Sequence, residues 1–151
     1  MKQCLGLLAF ALLLTAGSQA SAADRRHIPV PSTTTTPAGP NPPFSQAVFS
    51  GDTLYLSGTT DGGTALGGTP ADAAKRVLEN LKREVEAGGL TMDDLVWVQI
   101  FSTDLADYSA FNTVYRTYFK GPFPARAYMG VSHLLGGARF EVMGIAVRRS
   151  K

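Results

Sequence analysis

Cysteine is almost missing from this chain. The one cysteine, Cys4, sits among the first few residues. The body of the protein therefore has no disulfide, no thiolate-bound metal and no thiol nucleophile. Histidine is nearly as scarce, with only His27 and His133. That inventory excludes a histidine-rich metal centre and offers no Ser-His-Asp signature. Clusters of basic residues are missing too, and the formal net charge is only +2. A surface so close to neutral argues against nucleic acid as the main partner. The glycine-rich stretch "TTDGGTALGGT" lacks the Gly-Lys-Ser/Thr ending of a phosphate-binding loop and reads as a plain loop. No apolar run reaches the ~20 residues a membrane span needs.

The longest apolar run, Cys4 to Thr15, follows Lys2 and precedes Ala20-Ser21-Ala22. That order is the pattern of a secretory signal peptide, over residues 1–22. Its removal would take Cys4 with it and leave an exported, periplasmic protein without a membrane attachment. Residues 23–39 are rich in proline and threonine, a composition that excludes a helix. We expect a flexible lead there, with Arg25, Arg26 and His27 solvated. Residues 40–151 form one domain.

From Phe44 onward the pattern is compact. "AVFSGDTLYLSG" is two short strands about a Gly51-Asp52 turn. A helix follows, with Thr69 as N-cap, Pro70 at its first position and Asp72 in its first turn. Ala74, Val77, Leu78, Leu81 and Val85 make one apolar stripe, and Gly88-Gly89 ends the helix. "LVWVQIFST" is a strand, and "DLADYSAFNTVYRTYFK" a second amphipathic helix with Phe111, Val114, Tyr115, Tyr118 and Phe119 inward. Two strands close the chain, 126–133 and 139–148, expected as a hairpin about Gly136-Gly137. The order is β-β-α-β-α-β-β, an α+β layer with two helices on one sheet face. Yet the strands are apolar on both faces: Phe140, Val142 and Ala146 alternate with Met143, Ile145 and Val147. Two helices cover one face only, so a partner subunit is the simplest cover for the other.

Two charged residues break these apolar strands. Arg126 opens the strand after "GPFP", sharing a face with Tyr128, while Glu141 shares one with Met143, Ile145 and Val147. A buried charge is costly unless paired or used. Spacing alone leaves two readings open: a structural pair or rim residues, or a shared cavity that meets a ligand, across a subunit boundary if need be.

The pieces "PPFSQAV", "LYLSG", "NLKREVEAGGL", "DLVWVQIFSTDLADYSAFNTVY", "FPARAYMGV" and "FEVMGIAVRR" follow one another at fixed spacing from about Pro40 to Arg149. In that order the sequence resembles the Rid family of reactive-intermediate deaminases (the YjgF/UK114 family). The resemblance implies a chorismate-mutase-like fold and a homotrimer around a central barrel, with clefts between subunits. It also implies hydrolysis of enamines and imines such as 2-aminoacrylate to a 2-keto acid and ammonia, without metal or cofactor. It casts Arg126 as the holder of the substrate carboxylate and Glu141 as the residue that orients the attacking water. Gly58, after Ser57, would form the cleft floor, and Asn112 its edge. Three positions depart from the family's pattern. Phe44 stands where active deaminases usually carry tyrosine, Tyr128 replaces the usual cysteine and should narrow the cleft, and "SGTT" replaces "SGQ". The competing reading is a non-catalytic binder of small carboxylates or aromatic ligands in the same clefts. RNA cleavage or a holdase role, reported for some relatives, fits export and weak charge less well.

Overall fold

The computed structural model describes residues 24–31 and 42–149. The proposed signal segment, Ala23 and the part of the lead from 32 to 39 lie outside them, as do residues 40, 41, 150 and 151. Six strands and two helices are described: β1 (Arg25–Ile28), β2 (Ala47–Ser50), β3 (Thr53–Thr60), α1 (Pro70–Ala87), β4 (Leu95–Ser102), α2 (Tyr108–Tyr115), β5 (Ala125–Gly130) and β6 (Phe140–Val147). The strands form one mixed sheet in the order β1-β2-β3-β6-β4-β5.

Helix α1 starts and stops as its sequence dictates. The Thr69 hydroxyl accepts the Asp72 amide (3.2 Å), and the Asp72 carboxylate accepts the Thr69 amide (2.8 Å), a complete capping box with Pro70 beside it. The Thr69 backbone and hydroxyl donors hold the Asp72 carboxyl below its ordinary range. Ala74, Val77, Leu78, Leu81 and Val85 are fully buried against the sheet. Each buried Leu or Val contributes about 1.5–3 kcal/mol, so this stripe, rather than intrinsic propensity, docks the helix.

The sheet has one covered face and one open face. Leu54, Val98, Ile100, Phe140, Val142 and Ala146 point to the helices and have no exposure. The alternate residues Trp97, Phe101, Met143, Ile145 and Val147 are only half-buried, and Tyr55 and Met129 are exposed. The register aligns His27, Val48, Tyr55, Ile145, Trp97 and Ala125 in one row across this open face. Among the described residues nothing covers it.

Three expectations need correction. The lead is not wholly unstructured: Arg25–Ile28 is an edge strand antiparallel to β2, anchored by buried Ile28 and by Arg26 stacked on Phe49. The second helix is shorter than its 17-letter pattern suggests. Only Tyr108–Tyr115 is α-helical, between short 3-10 turns at Leu105–Asp107 and Arg116–Tyr118. The last two strands form no hairpin. β5 runs parallel to β4 at the sheet edge, and β6 inserts antiparallel between β3 and β4. The reason is the helical crossover: a β-α-β unit returns its second strand parallel to the first. The strand after α2 therefore belongs beside β4, not beside β6. Gly136-Gly137 turns instead against the other glycine-rich loop. A β-carbon on Gly63 would lie 2.1 Å from the Gly136 carbonyl oxygen. Buried Asp61 ties the two loops, accepting the amides of Gly63 (3.0 Å) and Arg139 (3.2 Å).

Candidate functional site

The predicted site residues fall into two groups, one on each sheet face. Arg126 pairs in register with Val98, whose side chain is buried beneath the helices, so Arg126 belongs to the helix side. Glu141 pairs with Phe101 and belongs to the open side. A single chain therefore does not bring Arg126 and Glu141 into one cavity.

Around Arg126 the sequence builds an aromatic box. β5 is an edge strand, so its guanidinium emerges beside α2 instead of being trapped beneath it. The guanidinium stacks over Tyr115 (4.8 Å to the ring centroid) and Tyr108 (5.7 Å), and its Nη2 donates to the Tyr108 hydroxyl (3.3 Å). Tyr108, Asn112, Tyr115, Arg116, Phe123, Pro124 and Arg126 line an open pocket of about 220 Å³. The neighbouring Asn112 side chain and the Arg126 charge lower the Tyr108 phenol's pKa from its ordinary value. Burial pushes the Tyr115 phenol up to about 12. None of the ion pairs among the described residues involves Arg126. Its fork thus has aromatic support and no internal carboxylate, an arrangement suited to capturing a carboxylate from outside.

Tyr128 stands behind this pocket, two residues from Arg126 on the same face. Its ring meets Tyr108 (5.0 Å) and Phe111 (5.6 Å) edge-on and packs on the core. It braces the wall that Tyr108 forms and does not line the pocket. Sequence reasoning missed Tyr108 and Tyr115. The signal was present: Tyr108 and Asn112 are four apart, and Tyr115 three further on, so all three share one face of α2.

On the open side, Glu141 rests over a bulge in β3. The β3–β6 register shifts between Leu56 and Thr59, leaving Ser57 and Gly58 unpaired with β6. Ser57 anchors the bulge to the chain before β2: its amide donates to the Gln46 carbonyl (3.0 Å) and its hydroxyl to the Ser45 carbonyl (2.7 Å). Phe44, next in line, is exposed. The space a Gly58 side chain would fill is taken by the Glu141 carboxylate, for a β-carbon there would lie 2.1 Å from Oε1. Burial raises the Glu141 pKa above its ordinary value. A half-buried carboxylate with raised proton affinity is suited to accept a proton from water. Ser57, Gly58 and Glu141, with Phe44 beside the Ser45 anchor, thus gather at the bulge, while Arg126, Asn112 and Tyr108 gather at the pocket by α2. Among the described residues no group of three or more His, Cys, Asp or Glu is placed to hold a metal ion.

The family described as Endoribonuclease L-PSP matches residues 34–148. A Dermatophagoides farinae protein named 2-iminobutanoate/2-iminopropanoate deaminase is 41% identical over 118 residues, covering 74% of this chain and 92% of that one. A human protein of the same name is 34% identical over 110 residues, covering 70% and 80%. The solved structure of Escherichia coli TdcF with bound serine superposes with a TM-score of 0.67 at 27% identity, covering 85% of this chain and 99% of that one.

Proposed function

The chain belongs to the Endoribonuclease L-PSP family, the YjgF/UK114 group it resembles in sequence, and from that premise we propose that it is an imine deaminase, hydrolysing small 2-imino acids to 2-keto acids and ammonia. The observation that carries this reading is Arg126: a guanidinium held by two tyrosines at a pocket mouth, with no carboxylate of its own among the described residues. A 2-imino acid supplies that carboxylate, and the fork fixes it by two parallel hydrogen bonds. The relatives' names, which specify 2-iminobutanoate and 2-iminopropanoate, point to the same substrate class.

The chemistry follows from the second half-site. An enamine first tautomerises to the imine, whose carbon is electrophilic. Glu141 holds a water against that carbon and takes one of its protons as the C–O bond forms. The resulting carbinolamine loses ammonia, with the proton returned to nitrogen, and leaves the keto acid. No external oxidant or reductant is required.

Both halves act together only if two copies of the chain meet. Arg126 and Glu141 lie on opposite faces of one sheet, so the Glu141 half of one subunit would face the Arg126 half of the next. A homotrimer that buries the open sheet faces toward a common axis would provide three such clefts. The apolar character of that face supports this assembly. The amino-terminal pattern supports export and a periplasmic location.

The test is imine hydrolysis by the mature protein, with 2-iminopropanoate generated in situ from alanine. Arg126→Lys keeps the charge and loses the fork, so kcat/KM should fall ~100-fold or more. Glu141→Gln should lower turnover while leaving keto-acid binding largely intact. Wild type that binds keto acids through Arg126 but hydrolyses no imine above background would establish a ligand-binding protein in place of an enzyme.

A further inference from the structure

The pocket beside α2 holds one more positive charge than a monocarboxylate needs. Two of its lining residues are arginines, Arg116 and Arg126, and none is an aspartate or a glutamate. The whole chain has a formal charge of only +2, so the pocket is a local excess of cations. Like charges facing one pocket repel, and a ligand that brings an anion to each relieves the repulsion.

Packing holds both guanidiniums there without help from an acid. Tyr115 and Phe123 stack with ring centroids 6.2 Å apart and planes 28° from parallel. Arg126 sits over the Tyr115 ring at 4.8 Å, and Arg116 over the Phe123 ring at 5.8 Å. Each cation thus rests on one ring of a stacked pair. Arg116 is the residue after the last of α2 and continues the row of Tyr108 and Asn112 at the next four-residue step. The face of α2 that lines the pocket therefore ends in a cation. None of the ion pairs among the described residues involves Arg116.

We propose that Arg116 is a specificity-determining residue: with Arg126 it makes the pocket selective for 2-imino acids whose side chain ends in a second carboxylate. The proposal rests on the imine-deaminase reading for the reaction, while the preference for a dianion stands on the two arginines. Arg126 takes the carboxylate next to the imine carbon. The side chain then lies along the Tyr115–Phe123 wall, and its terminal carboxylate meets Arg116. The imines of aspartate and glutamate, 2-iminosuccinate and 2-iminoglutarate, belong to this class. Water adds to the C=N carbon and ammonia leaves as before, giving oxaloacetate or 2-oxoglutarate. The second carboxylate is bound and takes no part in bond making. Arg116 is exposed, so its pair with the ligand stays partly solvated and should contribute ~5-fold in affinity.

The experiment titrates 2-oxoglutarate and 2-oxopentanoate into the mature protein as wild type, Arg116→Gln, Arg116→Lys and Lys82→Gln. The two ligands share one carbon skeleton, and 2-oxopentanoate has a methyl where 2-oxoglutarate has its terminal carboxylate. Wild type should bind 2-oxoglutarate ~5-fold more tightly, and the advantage should shrink as salt rises from roughly 0.05 to 0.5 M. Arg116→Gln should erase the advantage, and Arg116→Lys should retain most of it, because an exposed pair needs the charge more than the fork. Lys82, which pairs with Glu86 on α1 outside this pocket, controls for the loss of one charge from the chain, and Lys82→Gln should keep the advantage. Kinetics with imines generated in situ from glutamate and alanine should show the same loss of preference in Arg116→Gln, carried by KM. Wild type that binds 2-oxoglutarate no more tightly than 2-oxopentanoate, or an advantage unchanged in Arg116→Gln, would overturn the proposal. A wild type that shows the binding preference and hydrolyses no imine would uphold it and overturn the deaminase reading alone.

Discussion

Gly58→Ala tests the open half of the site by a single methyl group. The new β-carbon would lie 2.1 Å from Glu141 Oε1, 3.1 Å from Cδ and 3.4 Å from Cγ. Ordinary carbon–oxygen contact needs more than 3 Å, so the carboxylate must withdraw by about 1 Å. Gly58 does not occupy a left-handed backbone conformation, so alanine adds no strain there. The clashing atom is the end of a flexible side chain at a half-buried position, so the fold should absorb the change for about 1 kcal/mol or less. Catalysis should be less tolerant, because a 1 Å error in placing a catalytic group costs on the order of 100-fold. We therefore expect kcat for 2-iminopropanoate to fall ~100-fold in Gly58→Ala, with the melting temperature nearly unchanged. Keto-acid affinity, set by Arg126 in the other half-site, should change by no more than about 3-fold. Steady-state kinetics, a thermal melt and a keto-acid titration on the same preparation give all three numbers. Gly58→Ala with wild-type kcat would refute the argument that Glu141 acts from the seat Gly58 leaves open.

Three further outcomes are expected. The mature protein should sediment as a trimer at micromolar concentration, because the open face carries Tyr55, Trp97, Met129, Met143 and Ile145 without a cover among the described residues; a stable monomer would remove the intersubunit site. Amino-terminal sequencing of the exported protein should begin at Ala23 or Asp24, whereas an intact Met1 on the soluble protein would reject export. Glu84 should make stability depend on pH: its folded pKa, about 8, stands above the ordinary 4.5, so its contribution is fully present below about pH 4.5 and is lost as pH rises toward 8. A gap of about 3.5 pH units at ~1.4 kcal/mol each caps the loss near 5 kcal/mol, and urea titrations of Glu84→Gln should show a flatter profile across that window.

The local elements were legible because their causes are local. The α1 cap at Thr69 and Asp72, its apolar stripe, the Gly51-Asp52 turn and the two-sided apolar pattern of β4 and β6 can each be read within a dozen residues. Gly51, with φ 59°, needs only its own missing side chain to make that turn. Arg126 and Glu141 stood out as candidates for the same local reason, since a guanidinium and a carboxylate interrupt otherwise apolar strands. Strand order was not. β5 and β6 are consecutive in sequence, and a glycine turn separates them, yet the crossover through α2 commits β5 to β4 and leaves the gap between β3 and β4 for β6. Pairing partners depend on what the rest of the sheet has already occupied, which no short window records. The same non-local choice placed Arg126 and Glu141 on opposite faces and brought Tyr108 and Tyr115 beneath the arginine. Residue type decided which groups could do chemistry, while only the packing of distant segments decided which of them stand together.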